Sequence, residues 1–317
     1  MEKVFKYSDT NKRYYTLDYF YKHKFGCKIA KISLNAGMSC PNKDGRKGTG
    51  GCIYCSKLGS GDFAGKKEKC IKDQFEEIKK IMLHKWEKAK FIAYFQAGSN
   101  TYAPLNKLKE LYEEVLTFDN VVGLNIATRA DCISEETLDY LEDLSKRTYL
   151  TIELGLQSIH EKTAILINRC HTLEEFDLCV KKLRERKINV VVHIINSLPY
   201  ETKEMMLETI DYLNTLDIQG VKIHMLHILK DTKLEKLYEK ERFPILTKEE
   251  YVDIVCTQLE NLNPNFVIHR ITGDPKIEDL VEPKWLIKKF CVLNDIDKEM
   301  VKRETFQGKK YKKNPVL

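Results

Sequence analysis

Residues 91–128 read FIAYFQAGSNTYAPLNKLKELYEEVLTFDNVVGLNIAT. An aromatic and β-branched run, Phe91–Phe95, gives way to the polar segment Gln96-Ala97-Gly98-Ser99-Asn100. Leu105, Leu108, Leu111, Tyr112 and Val115 then recur at helical spacing, and a second apolar run, Val121–Ala127, leads into Thr128-Arg129. Strand, polar terminus, amphipathic helix and strand make one βα unit. Further strand runs stand at Lys28–Leu34, Tyr149–Leu156, Asn189–Ile195 and Gly220–Ile228, and Asp131 and Ser134 before Glu135-Glu136 read as a helix start. From Phe91 onward the runs recur every ~30–40 residues, the spacing of a parallel sheet with crossover helices. Right-handed crossovers permit an open doubly wound sheet or a closed or partial barrel, and periodicity does not choose between them. In both, sites form at the C-terminal ends of strands.

Beyond residue 245 the pattern changes. A helix is expected at Lys248–Asn261, a short strand at Phe266–Ile271, a turn at Thr272-Gly273-Asp274-Pro275 and a helical stretch at Lys284–Arg303, before a basic tail, GKKYKK. The expected organisation is therefore an α/β body over 1–245 with a C-terminal extension, 246–317, packed on it.

Composition narrows the function class. The chain has 317 residues, 43% hydrophobic and 32% charged, which excludes collagen-like, low-complexity and mostly disordered proteins. No apolar run approaches a membrane span and the N-terminus has no apolar signal region, so a cytoplasmic protein with no membrane partner is expected. A net charge of +6 permits a polyanionic partner without requiring one.

Polar groups sit where the strands end. In Leu150–Gln157, Thr151, Glu153 and Gly155 share one face by period two, and a carboxylate inside a buried strand needs a partner or a ligand. His193 lies inside VVVHIIN, and His224 and His227 inside KIHMLHI. A lone strand histidine is ordinarily a hydrogen-bonded core residue; convergence from successive strands favours a pocket.

Of ten cysteines, most read as reduced and buried. Cys40, Cys52 and Cys55 differ: they lie in GMSCPNKDGRKGTGGCIYC, residues 37–55, with few large apolar neighbours. Soft thiolates bind zinc or iron–sulfur clusters. No second CxxC and no HxxxH exists to complete a structural zinc site. Three thiols without a fourth suit a [4Fe-4S] cluster with one open iron, while zinc with a distant histidine, and no metal at all, stay open on spacing alone.

With Tyr54 just before Cys55 and βα units following, the chain resembles radical S-adenosylmethionine (SAM) enzymes of the MnmL/YhcC type, themselves similar to the elongator catalytic-subunit radical SAM domain. The resemblance runs through AKISLNAGMSCPNKDG, GGCIYC, YFQAGSNTYAP, ATRADCI, ELGLQSIHEKT, HIINSLPYET, KIHMLHILKDTKLE, HRITGD and VLNDIDKEMVKRETFQGKKY. It implies a partial (β/α)6 TIM-like barrel. The usual CxxxCxxC spacing is stretched here between Cys40 and Cys52, as in this family.

By that resemblance Cys40, Cys52 and Cys55 ligate three irons of a [4Fe-4S] cluster and SAM chelates the fourth. Tyr54 lies near adenine, and Gln96 and Ala97 with Gly98 offer backbone acceptors to the SAM amino group. Arg129 pairs the SAM carboxylate, Glu153 and Gln157 hold the ribose or sulfonium side, Arg169 reaches the same end, and His193 and Asn196 close the adenine side. Asn100, Tyr102, His224 and His227 would line the substrate pocket. Three positions depart from the expected pattern: glycine is expected at Cys170 and Ser197, and proline at Ala130.

The resemblance also implies a flavodoxin- or ferredoxin-like electron donor and a tRNA substrate, a wobble uridine whose C5 carboxymethylaminomethyl group becomes aminomethyl. Three basic groups suit RNA: Lys43, Arg46 and Lys47; Lys181, Lys182, Arg184, Arg186 and Lys187; and Lys309, Lys310, Lys312 and Lys313 with Phe306 and Tyr311. The alternatives are a radical SAM enzyme acting on a small metabolite and a zinc-stabilised, non-catalytic RNA-binding protein.

Overall fold

Every expected apolar run forms a strand in the computed structural model, which describes residues 4–56, 59 and 61–313. The strands are β1 (Ile29–Leu34), β2 (Lys90–Phe95), β3 (Val121–Thr128), β4 (Tyr149–Gln157), β5 (Asn189–Asn196) and β6 (Gly220–Met225). The run Gly220–Ile228 breaks after Met225, and Ile228–Leu229 becomes β7. β8 (Val267–Arg270) lies parallel to β6, and β9 (Leu280–Glu282) pairs antiparallel with β7.

The main sheet has the order β1-β2-β3-β4-β5-β6-β8. Its pairs β1–β2, β2–β3, β3–β4 and β6–β8 are parallel. A doubly wound sheet reverses its strand order at a switch point. Here the order follows the chain without reversal, which selects the partial TIM-like barrel of the two permitted solutions. A seventh strand, β8, comes from the region beyond residue 245.

Helices α1 (Leu17–Phe25), α2 (Ile71–Lys85), α3 (Leu105–Leu116), α4 (Glu135–Arg147), α5 (Glu161–Leu166), α6 (Leu173–Glu185), α7 (Lys203–Leu213), α8 (Lys233–Glu241), α9 (Lys248–Asn261) and α10 (Lys289–Lys302) fill the connections. Their starts are encoded locally. Ser134 caps α4, Thr202 caps α7, and Thr172–Glu175 and Thr247–Glu250 form capping boxes on α6 and α9. Each such cap contributes about 0.5–2 kcal/mol.

Strand residues alternate in character. Phe91, Ala93, Phe95, Leu124 and Ile126 are wholly buried, with Phe91 edge-on to Phe75 of α2 at 5.8 Å and Phe95 to Tyr112 of α3 at 5.2 Å. Lys31, Tyr94, Asn125 and Glu153 occupy the intervening positions and so project from the opposite side of their strands.

The chain divides into two compact units. One comprises Tyr21–Gly155 and Cys170–Val191; the other comprises Met1–Phe20, Leu156–Arg169 and Val192–Leu317. In the latter, α9 and α10 are neighbours, Tyr251 packs on Trp285 at 5.6 Å, and Tyr7 stacks on Tyr15 at 4.1 Å. Among the described residues no helix is long and apolar enough to cross a membrane.

Candidate active site

In the unit holding Tyr21–Gly155, the cysteine loop is tightly folded. Lys43 and Asp44 donate backbone N–H to the Cys40 carbonyl at 2.8 and 3.2 Å, Lys47 and Gly48 to that of Pro41 at 2.9 and 3.2 Å, and Gly51 to that of Asn42 at 2.7 Å. Asn42 is fully buried, and its Nδ2 donates to Cys52 Sγ at 3.5 Å. A Cβ on Gly48 would stand 2.2 Å from Asn42 Oδ1, so a side chain there would have to displace the Asn42 amide. Burial, and then the nearby Cys55 and Cys40, push the Cys52 thiol up to about 11. The Tyr54 hydroxyl is likewise raised by burial and by Cys52 and Cys55, which places it beside the thiols.

Among the described residues no three His, Cys, Asp or Glu side chains stand as a group for one metal ion. A cubane cluster makes a different demand, because each thiolate binds its own iron. Three half-buried thiols in one locality, with a neutral amide donating to one sulfur, fit that donor set.

The segments that follow β2 and β3 approach this loop within the same unit. Gly98 has φ 77° and approaches so closely that a Cβ would stand 2.3 Å from the Met38 carbonyl oxygen, while Ser99 N–H donates to Ser39 O at 3.1 Å. Gln96-Ala97-Gly98 thus leads into a segment held against the residues before Cys40. Asn100 is a brace: its Nδ2 reaches the Phe95 and Ala127 carbonyls at 3.1 and 2.9 Å. The Tyr102 ring lies beneath Arg46 at 5.4 Å.

Arg129 makes a two-pronged pair with Asp131, both bonds 2.9 Å. Burial works against the Arg129 charge, but Asp131 more than offsets it and raises the pKa; burial likewise opposes the Asp131 charge, and Arg129 holds its carboxyl below the usual range. Asp131 also lies 3.6 Å from Lys47 of the cysteine loop, which pairs with Glu175 of α6 at 2.8 Å. Asp131 thus braces Arg129 and the loop, while Ser134 alone caps α4. Glu153 accepts from Lys31 and Asn125, each at 2.8 Å, so the carboxylate assigned above to SAM is already engaged.

In the other unit, Gln157 adopts φ 70° and Arg169, fully buried, donates through Nη1 to the flanking Leu156 and Ser158 carbonyls at 2.9 and 2.6 Å. Asn196 exchanges two 2.8 Å amide bonds with Gln258 of α9. The His193 and His224 rings lie 5.2 Å apart. The Nε2 atoms of His224 and His227 are buried without a hydrogen-bond partner. Burial first, then His193, Arg270 and Lys222, hold His224 well below the ordinary histidine value; burial and Arg270 bring His227 to about 4. Both rings are therefore neutral near pH 7. Gly273 makes room for His227, since a Cβ there would stand 2.1 Å from its Nε2.

Sequence reasoning missed Asn42, Lys31, Gln258 and Arg270 as members of these clusters; their partners lie far along the chain or depend on a loop's closure. The basic groups are more engaged than their spacing implies. Lys182 pairs with Glu135, Arg186 with Glu135 and Asp139, and Lys310 with Glu260, while Lys43 donates to the Ser56 carbonyl at 3.1 Å.

Comparison with known proteins agrees with this architecture. The chain is 49% identical to YtqA of Bacillus subtilis over 305 residues, covering 96% of this chain and 95% of that protein. It is 31% identical to YhcC of Escherichia coli over 277 residues, 87% of this chain and 88% of that one. Its fold is like that of the archaeal Elp3 of Methanocaldococcus infernus, with TM-score 0.65 and 17% identity, spanning 88% of this chain and 64% of Elp3. The Radical SAM superfamily profile matches residues 43–213 and the Radical_SAM C-terminal domain profile residues 218–302. The sequential parallel sheet, the cysteine loop after its first strand and these matches place the chain in the radical SAM superfamily, and membership implies a [4Fe-4S] cluster and SAM.

Proposed function

We propose that this radical SAM enzyme is a cytoplasmic tRNA-modifying enzyme that converts a carboxymethylaminomethyl group at C5 of the wobble uridine to aminomethyl. The observation that carries the reading is the relationship to YhcC across 87% of the chain, taken together with the stretches on which the MnmL/YhcC-type resemblance rests. Likeness of fold to Elp3 is consistent with it. Residues 246–317 are taken as the C-terminal extension.

When bound and reduced by a flavodoxin- or ferredoxin-like donor, the cluster supplies reductive cleavage of SAM and hence a 5′-deoxyadenosyl radical able to abstract hydrogen. Cys40, Cys52 and Cys55 hold the cluster. The backbone of Gln96-Ala97-Gly98 accepts from the SAM amino group. Arg129, fixed by Asp131, faces the SAM carboxylate. Tyr54, His193 and Asn196 border the adenine, and Arg169 shapes the turn that presents Gln157. Glu153, held by Lys31 and Asn125, belongs to the scaffold that supports the site. The neutral imidazoles of His224 and His227 offer uncommitted hydrogen-bonding atoms to the substrate side chain. The 5′-deoxyadenosyl radical would take a hydrogen atom from the carboxymethyl carbon beside the side-chain nitrogen; loss of one further electron, to the oxidised cluster as acceptor, and addition of water would then release that unit as glyoxylate and leave the primary amine.

A second reading, a small-metabolite substrate, is favoured by one observation: Lys182, Arg186 and Lys310 are already paired with acids. Nucleoside mass spectrometry of bulk tRNA from wild-type and deletion strains separates the two. Accumulated carboxymethylaminomethyluridine in the deletion is expected. An identical modified-uridine profile would reject the wobble reading and favour a metabolite, and a change in another nucleoside would keep RNA but move the position.

A further inference from the structure

Eleven residues separate Cys40 from Cys52, and the structure shows what most of them do. The 2.7 Å bond from Gly51 N–H to the Asn42 carbonyl brings the two ends of the insert together. Residues 43–50 are thereby looped out as a small hairpin, with Asp44 bridged antiparallel to Thr49 and Gly45 N–H donating to Gly48 O at 3.1 Å. Lys47 ties this lobe to Asp131 and Glu175. The path from Cys40 to Cys52 then runs through Pro41, Asn42 and Gly51 alone. Three intervening residues is the ordinary CxxxC spacing of the superfamily.

The Asn42 side chain is committed to the same junction. It is wholly buried, its Nδ2 donates to Cys52 Sγ at 3.5 Å, and its Oδ1 fills the space left by the absent side chain of Gly48. An N–H aimed at a thiolate stabilises negative charge on sulfur. A reduced cluster carries one more electron than an oxidised one, so hydrogen bonds to its sulfurs favour reduction.

We propose that Asn42 is a positioning residue for the cluster: it closes the long insert to an effective three-residue spacing and holds Cys52 through an N–H···S bond that raises the reduction potential. The inference rests on the cluster that family membership implies and not on the wobble-uridine reading, so a tRNA result bears on that reading alone.

The test uses the full chain, anaerobically reconstituted, with iron content and an electron-paramagnetic-resonance redox titration as readouts. Asn42→Ala is expected to keep its iron. At the potential where wild type is half reduced, its reduced-to-oxidised ratio should fall about tenfold, equivalent to 59 mV for one electron. Full iron with an unshifted or raised potential overturns the hydrogen-bond role. If Asn42→Ala assembles no cluster, Asn42→Asp, which keeps the size but lacks the donor, is read instead. A wild-type potential in that variant overturns the proposal, and loss of assembly in both, with unchanged circular dichroism, supports the positioning role. Deleting residues 43–50, which joins Asn42 to Gly51 and leaves Pro41, Asn42 and Gly51 between the two cysteines, should leave iron content at the wild-type level; loss of iron from that folded variant overturns the spacing argument.

Discussion

On β1, β3 and β4, Lys31, Asn125 and Glu153 meet at 2.8 Å, and the buried carboxylate receives a charged and a neutral donor. On β6 and just after it, His224 and His227 are also enclosed, yet neither Nε2 has a partner. In the first arrangement the charged groups are engaged, although Asn125 Oδ1 beside them is also buried without a partner. A buried ion pair with its hydrogen bonds made is part of the scaffold, and its value lies mostly in what breaking it would cost. The second leaves two polar atoms bearing a desolvation cost of about 1–3 kcal/mol each. The proposed substrate-facing wall would carry such a cost until a ligand supplied the missing partners.

The largest expected effect follows from breaking the paired side. Glu153→Ala leaves Lys31 in a largely enclosed site without its counter-charge, and should destabilise the protein by about 3–5 kcal/mol in urea unfolding. His224→Leu removes an atom that already lacks a partner and should change stability by less than about 1 kcal/mol, or raise it. Its loss should appear in substrate turnover instead. If both substitutions cost the same stability, the distinction between scaffold and wall fails.

Acid sharpens the comparison. An unfolded histidine takes up its proton near pH 6.5, whereas native His227 does so only at about 4, through burial and then Arg270, with Asp274 pulling the other way. Between those values the unfolded chain binds more protons, so stability falls as pH falls, by about 1.4 kcal/mol per pH unit for each such ring. Urea midpoints measured from pH 7 to 4.5 should therefore decline less in His227→Asn than in wild type. The depressed Asp131 carboxyl acts in a lower window, where acid begins to protonate unfolded carboxylates, and leaves this difference intact. Parallel declines would show that His227 is not held neutral.

Much of this was legible in the chain. Strand positions followed from β-branched and aromatic runs, and α9 matches Lys248–Asn261 because Thr247 and Glu250 write its start locally. That β8 would join β6 was not legible: four residues carry no signal for which edge they will pair with. Glu153 could be read as needing a partner, but Lys31 lies 122 residues away. Lys182 and Arg186 looked like a free basic surface because Glu135 and Asp139 belong to a different helix, α4. Asn42 had no local signature, since its role appears only once Gly51 closes the loop.

The two departures at Cys170 and Ser197 carry the smallest prediction and reach both units. Where glycine is expected, these residues have φ 61° and 68°, left-handed values that a Cβ disfavours by about 1–2 kcal/mol. The expectation of glycine thus has a backbone cause. Ser197 donates its backbone N–H to Met206 Sδ at 3.3 Å, a bond that glycine keeps. Ser197→Gly should therefore raise stability by about 1 kcal/mol, reduced in part by glycine's greater unfolded freedom. Cys170→Gly should gain less. Its Sγ lies where a Cβ on Gly48 would stand 3.0 Å away, so the thiol packs on the lobe that Asn42 closes, and that contact is lost. Urea unfolding of both variants measures the order. Equal gains would mean the thiol contributes nothing to holding the lobe, and a larger gain at Cys170 would mean that it crowds the cysteine loop.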